Sequence, residues 1–357
     1  MREIDIAVVK IPKEKKDNAD FFKEKFAKLI DIAGGIDFVN KGDSVLVKVS
    51  LNSDRKYPAT TSPDTLSALI ELLIKRSPSA IYVGDKSAFF RKTKKIFKNT
   101  GFEELIAAYA KKVEKDTGTK VRLIDFDDCI YRDRYFPKDI KDKWELQRTR
   151  HMIRAPKMLF EEDPFLKGKG LPAKVDHIIV LGTVKTHFLG RFTLGMKSYV
   201  GFLDNESRCL FHNIPHKNCY RLKKIAPFDR VSLQNRVPEL LTVIPLPKLV
   251  ILDGRELIIR GGPDSNNRIQ PLPSFVPNPY TGVMMAGTDI VAVDAAGVAL
   301  LKTQKRVAKE LKRFSIWEMP TFVRAEELKL GANRADKIVL HTDSKEEKFE
   351  RIAWFLQ

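Results

Sequence analysis

Cysteine is scarce. Cys129, Cys209 and Cys219 are the full complement, an odd and sparse set that makes no disulfide framework and fits a reducing compartment. The Cys-x-x-Cys-x-x-Cys-x-x-x-Cys run of a ferredoxin-type iron–sulfur cluster is missing, so no such cluster is expected. Long apolar runs are missing too: nothing approaches the roughly 20 residues that cross a bilayer, and the apolar stretch 291–301 is interrupted by Asp294. No membrane partner is therefore expected. The opening residues MREIDIAVVK carry acids and lack the apolar stretch and small-residue cleavage site of a signal peptide. They read as a first strand, and the protein is expected in the cytoplasm. Also absent are the Walker phosphate loop, the Gly-x-Gly-x-x-Gly fingerprint, the Gly-x-Ser-x-Gly elbow and His-Glu-x-x-His. Their absence removes the commonest nucleotide, hydrolase and metalloprotease readings.

Acidic residues are outnumbered, 46 against 64 lysines and arginines, which leaves a formal net charge of +18. Such a surplus concentrates anions around the molecule. Nucleic acid, anionic lipid and phosphorylated or carboxylated metabolites are all compatible with it, and so is a lysine-rich surface that serves solubility or heat resistance. At 357 residues, 43% hydrophobic and 31% charged, the chain is neither disordered nor membranous in composition and is long enough for a substantial core.

The first hundred residues alternate strand and helix. Residues 4–9 read as a strand, 19–33 as an amphipathic helix closed by Gly34-Gly35, and 44–50 as a strand. Ser62-Pro63-Asp64 then opens a second helix, and 80–85 is a short apolar strand. Further strands are expected at 175–182, 248–253, 283–286 and 338–340. A glycine-punctuated helical segment is expected at 192–203, with helices at 231–241 and from Thr288-Asp289 to residue 301. This pattern predicts an α/β fold: a mostly parallel sheet with helices on both faces, and a second α/β lobe across a cleft. Residues 1–126 form the first lobe in this reading, 127–170 an insertion or lid, and 171–357 the portion that closes the core. There is no internal repeat.

Ligands of such sheets bind beyond the C-terminal strand ends, so the polar residues there carry the functional expectations. They are Lys48, Ser50 and Asn52 after one strand, Gly84 and Asp85 after the next, and Lys185-Thr186-His187 after a third. Lysine and threonine can hold an anion, and histidine near neutral pH can move a proton or bind a metal. Asp294 lies in an apolar helix start, where a carboxylate must be paired or protonated; a helix-packing role and a catalytic one are equally open. Cys209, His212, His216 and Cys219 fall within eleven residues. That is too crowded for a four-ligand zinc site, although a histidine from this run can join an active site or a metal. Asp253-Gly254 and Gly261-Gly262-Pro263 allow close backbone approach. The run from Lys86 to Lys98 interleaves cations and aromatics as nucleic-acid binders do, but on a helix its aromatics equally make a buried face.

The order of these pieces resembles the domain of unknown function 362 family. The resemblance rests on Val45 to Lys48, Thr61-Ser62-Pro63-Asp64, Val83-Gly84-Asp85, Lys185-Thr186-His187, Thr193 to Lys197 with Gly201, Asp253-Gly254, Gly262-Pro263 and Ala286 to Asp289 with Asp294. It runs from about residue 43 to residue 300. Some members of that family carry an inserted iron–sulfur module, for which the cysteines are lacking here. The family is also distantly similar to the nickel-dependent lactate racemase architecture of two domains facing a cleft. Lys-Pro-Asn in the family is Lys48-Val49-Ser50 here, Pro-Lys-Leu-Lys-Thr-His is Gly182 to His187 with Thr183 in place of the first lysine, Lys-Asn is Lys197-Ser198, and a usual acid is Ile259. Such losses imply altered substrate handling, or binding without turnover.

The expectation is therefore a cleft enzyme for a small anionic substrate or phosphate-bearing cofactor. Lys48, Lys185 and Lys197 would hold the anion, assisted by Asp85, Thr186, Asp253 and Gly262. His187 would be acid, base or metal ligand, with Lys185 and Asp294 as its catalytic companions and His212 and His216 as further ligands to a divalent metal. The alternative is a non-enzymatic protein that binds nucleic acid through its basic surface, including Lys92, Lys94 and Lys95.

Overall fold

The computed structural model describes residues 2–88, 91–137, 140, 152–212, 230–263 and 278–357. Its centre is a nine-stranded sheet. The strands are β1 (Glu3–Lys10), β2 (Ser44–Val49), β3 (Ala80–Asp85), β4 (Lys120–Asp125), β7 (His177–His187), β8 (Arg191–Thr193), β9 (Leu249–Ile258), β10 (Tyr280–Gly287) and β11 (Lys337–Thr342). Strands β5 (Tyr131–Tyr135) and β6 (Met152–Pro156) form a separate antiparallel pair. The large sheet runs β11-β1-β10-β9-β7-β2-β3-β4, with β8 folded back against β7. All neighbours on the main path are parallel except β10, which is antiparallel to both β1 and β9. The fold is thus α/β and mostly parallel.

Alternation along the strands sets the two faces. On β2, Val45, Val47 and Val49 point to one apolar cluster and Leu46 to the other; on β3, Ile81 and Val83 oppose Ala80 and Tyr82. Strands buried on both faces need cover on both. Helices Ala19–Ile32, Pro63–Ile74 and Phe102–Thr117 cover the first face, through residues such as Phe26, Leu69 and Phe102. Helices Ile290–Lys302, Pro320–Glu327 and Glu347–Leu356 cover the second, through Ala296, Phe322 and Ile352. Asp289 caps its helix, its carboxylate accepting from the amides of Val291 and Ala292. Ser62 occupies the N-cap before Pro63 without a side-chain capping bond.

Four strands lay outside the sequence reading. β4 carries lysine, arginine and aspartate on a half-exposed edge, β8 is three residues long, and β5–β6 lie in the charged excursion after residue 126. Ile153, Ala155, Met158 and Leu166 of that excursion join the second apolar cluster. Residues 192–203 begin as the end of β8 and become helical only at Gly195–Ser198 and Tyr199–Phe202. Among the described residues no helix is long and apolar enough to cross a membrane.

Candidate active site

From β2 the chain builds the sheet outward in one direction through β3 and β4, and from β7 it builds the other way through β9. The two directions part between β2 and β7, the place where open α/β sheets leave a crevice beyond their strand ends. A cavity of about 120 Å³ lies there. The ends of β2 and β3 supply Lys48, Ser50, Asn52, Asp85 and Lys86 to its wall. β7, β8 and the following helical turns supply His187, Thr193, Lys197 and Gly201, and helix Asn205–His212 adds Arg208 and His212. Pro263 closes one side. Among the described lining residues, four cationic side chains, Lys48, Lys86, Lys197 and Arg208, therefore face one carboxylate, Asp85.

Three of these cations are already held. Lys48 is 1% exposed, and its Nζ donates to Asp85 Oδ1 at 2.7 Å and to the Val49 carbonyl at 2.8 Å. Asp85 is saturated in turn, accepting from the amides of Lys86 and Leu51. Burial lowers the Lys48 amine's proton affinity, and Asp85 opposes that shift. Gly201 has to lack a side chain, because a Cβ there would fall 2.7 Å from Lys48 Nζ and closer still to Asp85 Oδ1. Lys86 pairs with Asp127 at 2.5 Å, and Arg208 donates to the carbonyls of Ser87, Lys86 and Val200. Arg208 thereby ties the strand ends to the helical turns and gives the cavity a rigid rim.

Lys197 differs. It is 8% exposed, and among the described residues its Nζ has no hydrogen-bond acceptor and no carboxylate; the Phe211 ring lies 6.0 Å away. Burial first, then the nearby charges of Arg208 and Lys185, pull its amine down to about 7. Thr193 on the same wall has a buried hydroxyl with no partner among the described residues.

His187 has a fixed tautomer. The amides of Leu189 and Gly190 both point at its Nδ1, each at 3.1 Å. Backbone amides only donate, so Nδ1 carries the lone pair and Nε2 the proton. Burial, followed by the charge of Lys197, holds its pKa well below the ordinary range and keeps the ring neutral. The ring therefore offers an N–H donor. In this tautomer Nε2 has no lone pair with which to accept a proton or bind a metal. His212 is the reverse case: its Nδ1 faces the Arg208 carbonyl at 2.8 Å, which leaves the lone pair on Nε2. Burial, then Lys197, lowers His212 to about 3.

The remaining predicted residues scatter. Lys185 is fully buried beneath the cavity, held by Ser50, Asn52 and the Ala59 carbonyl. The Thr186 hydroxyl donates to the Ile258 carbonyl, away from the cavity. Gly262 packs against the Thr186 carbonyl where no Cβ fits, and it accepts from Phe188. Asp294 is fully buried and accepts from the amides of Gly195 and Met196 at 2.7 and 3.0 Å. It anchors the turn that carries Lys197, and burial raises its pKa to about 7. Asp253 accepts from Tyr57, Thr65 and Arg255 in a separate buried cluster that ties helix Pro63–Ile74 to β9. His216 and Cys219 lie outside the described residues, and Cys209 is buried. Among the described residues no group of three or more histidines, cysteines or acids is placed to hold a metal.

Lys86 and Arg208 were missed. Lys86 was read as part of an outer basic run. Arg208 had one trace in the sequence, its spacing of four from His212, which puts both on one helix face.

The fold and this crevice define an α/β protein with a cation-lined cavity at the parting of its sheet. The chain belongs to the family described as Domain of unknown function (DUF362), whose model matches residues 45–144 and 169–299. Among curated proteins, none matches the chain.

Proposed function

We propose that the cavity binds a small anionic ligand and that the protein is an enzyme acting on it. The observation that carries this reading is Lys197, a buried amine facing the cavity with no anionic partner among the described residues. Keeping an ammonium there is costly unless a ligand completes it. Around it, His187 offers an Nε2–H donor and Thr193 a free hydroxyl, while Lys48, Lys86 and Arg208 set a positive field that concentrates anions. Lys197 is the group suited to proton transfer at neutral pH, being poised between its charged and neutral forms. A phosphate-bearing cofactor would meet the same donors. The nucleic-acid alternative has less behind it: in the outer cluster Lys94 pairs with Asp128 at 2.7 Å, and Ile96 and Phe97 are buried.

The test is calorimetric titration of the purified protein with phosphate, pyrophosphate, oxalate and pyruvate near neutral pH. The expected result is one site per chain for at least one of them, weakened about tenfold or more in Lys197→Met. In His187→Asn the side-chain oxygen can replace Nδ1 in the turn while the Nε2 donor is lost, so the fold should hold and affinity should drop by 1–3 kcal/mol, roughly the worth of a hydrogen bond to a charged group. No saturable binding by any of the four would overturn the reading.

A further inference from the structure

Resting on that reading, we propose that Lys197 is a nucleophile that forms an imine with the carbonyl group of a small 2-oxo acid. Three features of the cavity lead there. A lysine that only holds an anion is best left charged and exposed, or paired with a carboxylate, as Lys48 and Lys86 are. Among the described residues Lys197 instead has no carboxylate partner, with the apolar Phe211 ring 6.0 Å away and Arg208 near enough to disfavour its charge. Burial beside another cation is one of the ways proteins free a lysine lone pair for covalent work. Next to it, neutral His187 presents Nε2–H to the same space, the donor that a carbonyl oxygen needs as negative charge builds on it. The surrounding cations would attract the carboxylate, and the cavity of about 120 Å³ suits a small substrate.

The step balances within the site. The Nζ lone pair forms a C–N bond to the carbonyl carbon as the π pair moves to oxygen, giving a carbinolamine. The two amine protons then leave with that oxygen as water, and the nitrogen lone pair closes the C=N bond. No oxidant, reductant or metal is required. Uptake of one proton from solvent by the imine nitrogen would give the iminium, whose electron withdrawal would labilise the bonds at the neighbouring carbon.

Trapping tests the proposal directly. The full-length protein is incubated near pH 7 with pyruvate and sodium cyanoborohydride, and separately with glyoxylate, then mapped by peptide mass spectrometry. Exposed lysines with ordinary proton affinity are neutral about a thousandfold less often than an amine poised near 7, so modification should concentrate on Lys197 at one carboxyalkyl group per chain. Saturating oxalate, which has no ketone, should suppress the adduct. The mapping uses the unaltered chain, so it does not depend on how a variant folds. Adducts spread over surface lysines with Lys197 unmodified, from both probes, would overturn the imine. If pyruvate also binds by calorimetry in that case, the anion site survives and only the covalent step falls. If no anion binds at all, both fall.

Discussion

Replacing Lys197 with methionine should make the protein more stable, and the amount follows from the site. The amine is lowered from its ordinary 10.5 to about 7, first by burial and then by Arg208 and Lys185. Each tenfold change in proton affinity is worth about 1.4 kcal/mol, so the charged form costs the fold roughly 3–5 kcal/mol at and below neutral pH. The sign follows from proton counts: between about 7 and 10.5 the unfolded chain holds a proton that the folded chain has released, so the parent's stability rises with pH across that window. Methionine has no such proton, fills a similar volume and packs against Phe211. Urea unfolding of both proteins at matched pH measures the difference. The variant should be more stable by roughly 3–5 kcal/mol at pH 7, and by less than about 1 kcal/mol at pH 10.5. A variant less stable than its parent at pH 7 would refute the reasoning, because Lys197 would then be a structural cation with stabilising partners.

Two further substitutions probe the frame. Gly201→Ala puts a methyl within 2.7 Å of Lys48 Nζ and forces the buried Lys48–Asp85 pair apart; a loss of about 3–5 kcal/mol is expected by thermal or urea unfolding, since a split buried pair leaves uncompensated charge. Asp294→Ala strands the amides of Gly195 and Met196, at about 1–3 kcal/mol each. With its pKa raised by burial to about 7, Asp294 gives the parent stability that is full below about pH 4 and is lost as pH rises through 7. Stability curves of the variant should lack that slope.

What was legible in the sequence was the frame. The period-two pattern at 44–50 and the apolar runs at 80–85 and before Lys185 gave strands, and the rule of strand ends pointed to Lys48, Asp85 and His187, which do line one cavity with Lys197. What was not legible depended on partners remote in the chain. Asp294 stood out as a carboxylate among apolar residues and Asp253 as a strand-end candidate, but only the fold reveals that they serve two backbone amides and Arg255. Arg208 acts through carbonyls at 86, 87 and 200, which leave no mark on residue types. The role of His187 turns on which nitrogen two amides choose, a matter of turn geometry at 189–190.

Strand β1 sits between β10 and β11, paired with residues 283–286 on one side and 337–342 on the other. A ribosome therefore delivers this strand some 270 residues before either neighbour exists. Until then its apolar residues Ile6, Val8 and Val9 have no place in the sheet, an interval in which holdase chaperones would find a binding segment. β2, β3, β4 and β7 can meanwhile pair with one another, so the cavity wall built on the ends of β2, β3 and β7 precedes the closing of the sheet. During synthesis, the opening strand is among the last pieces to settle.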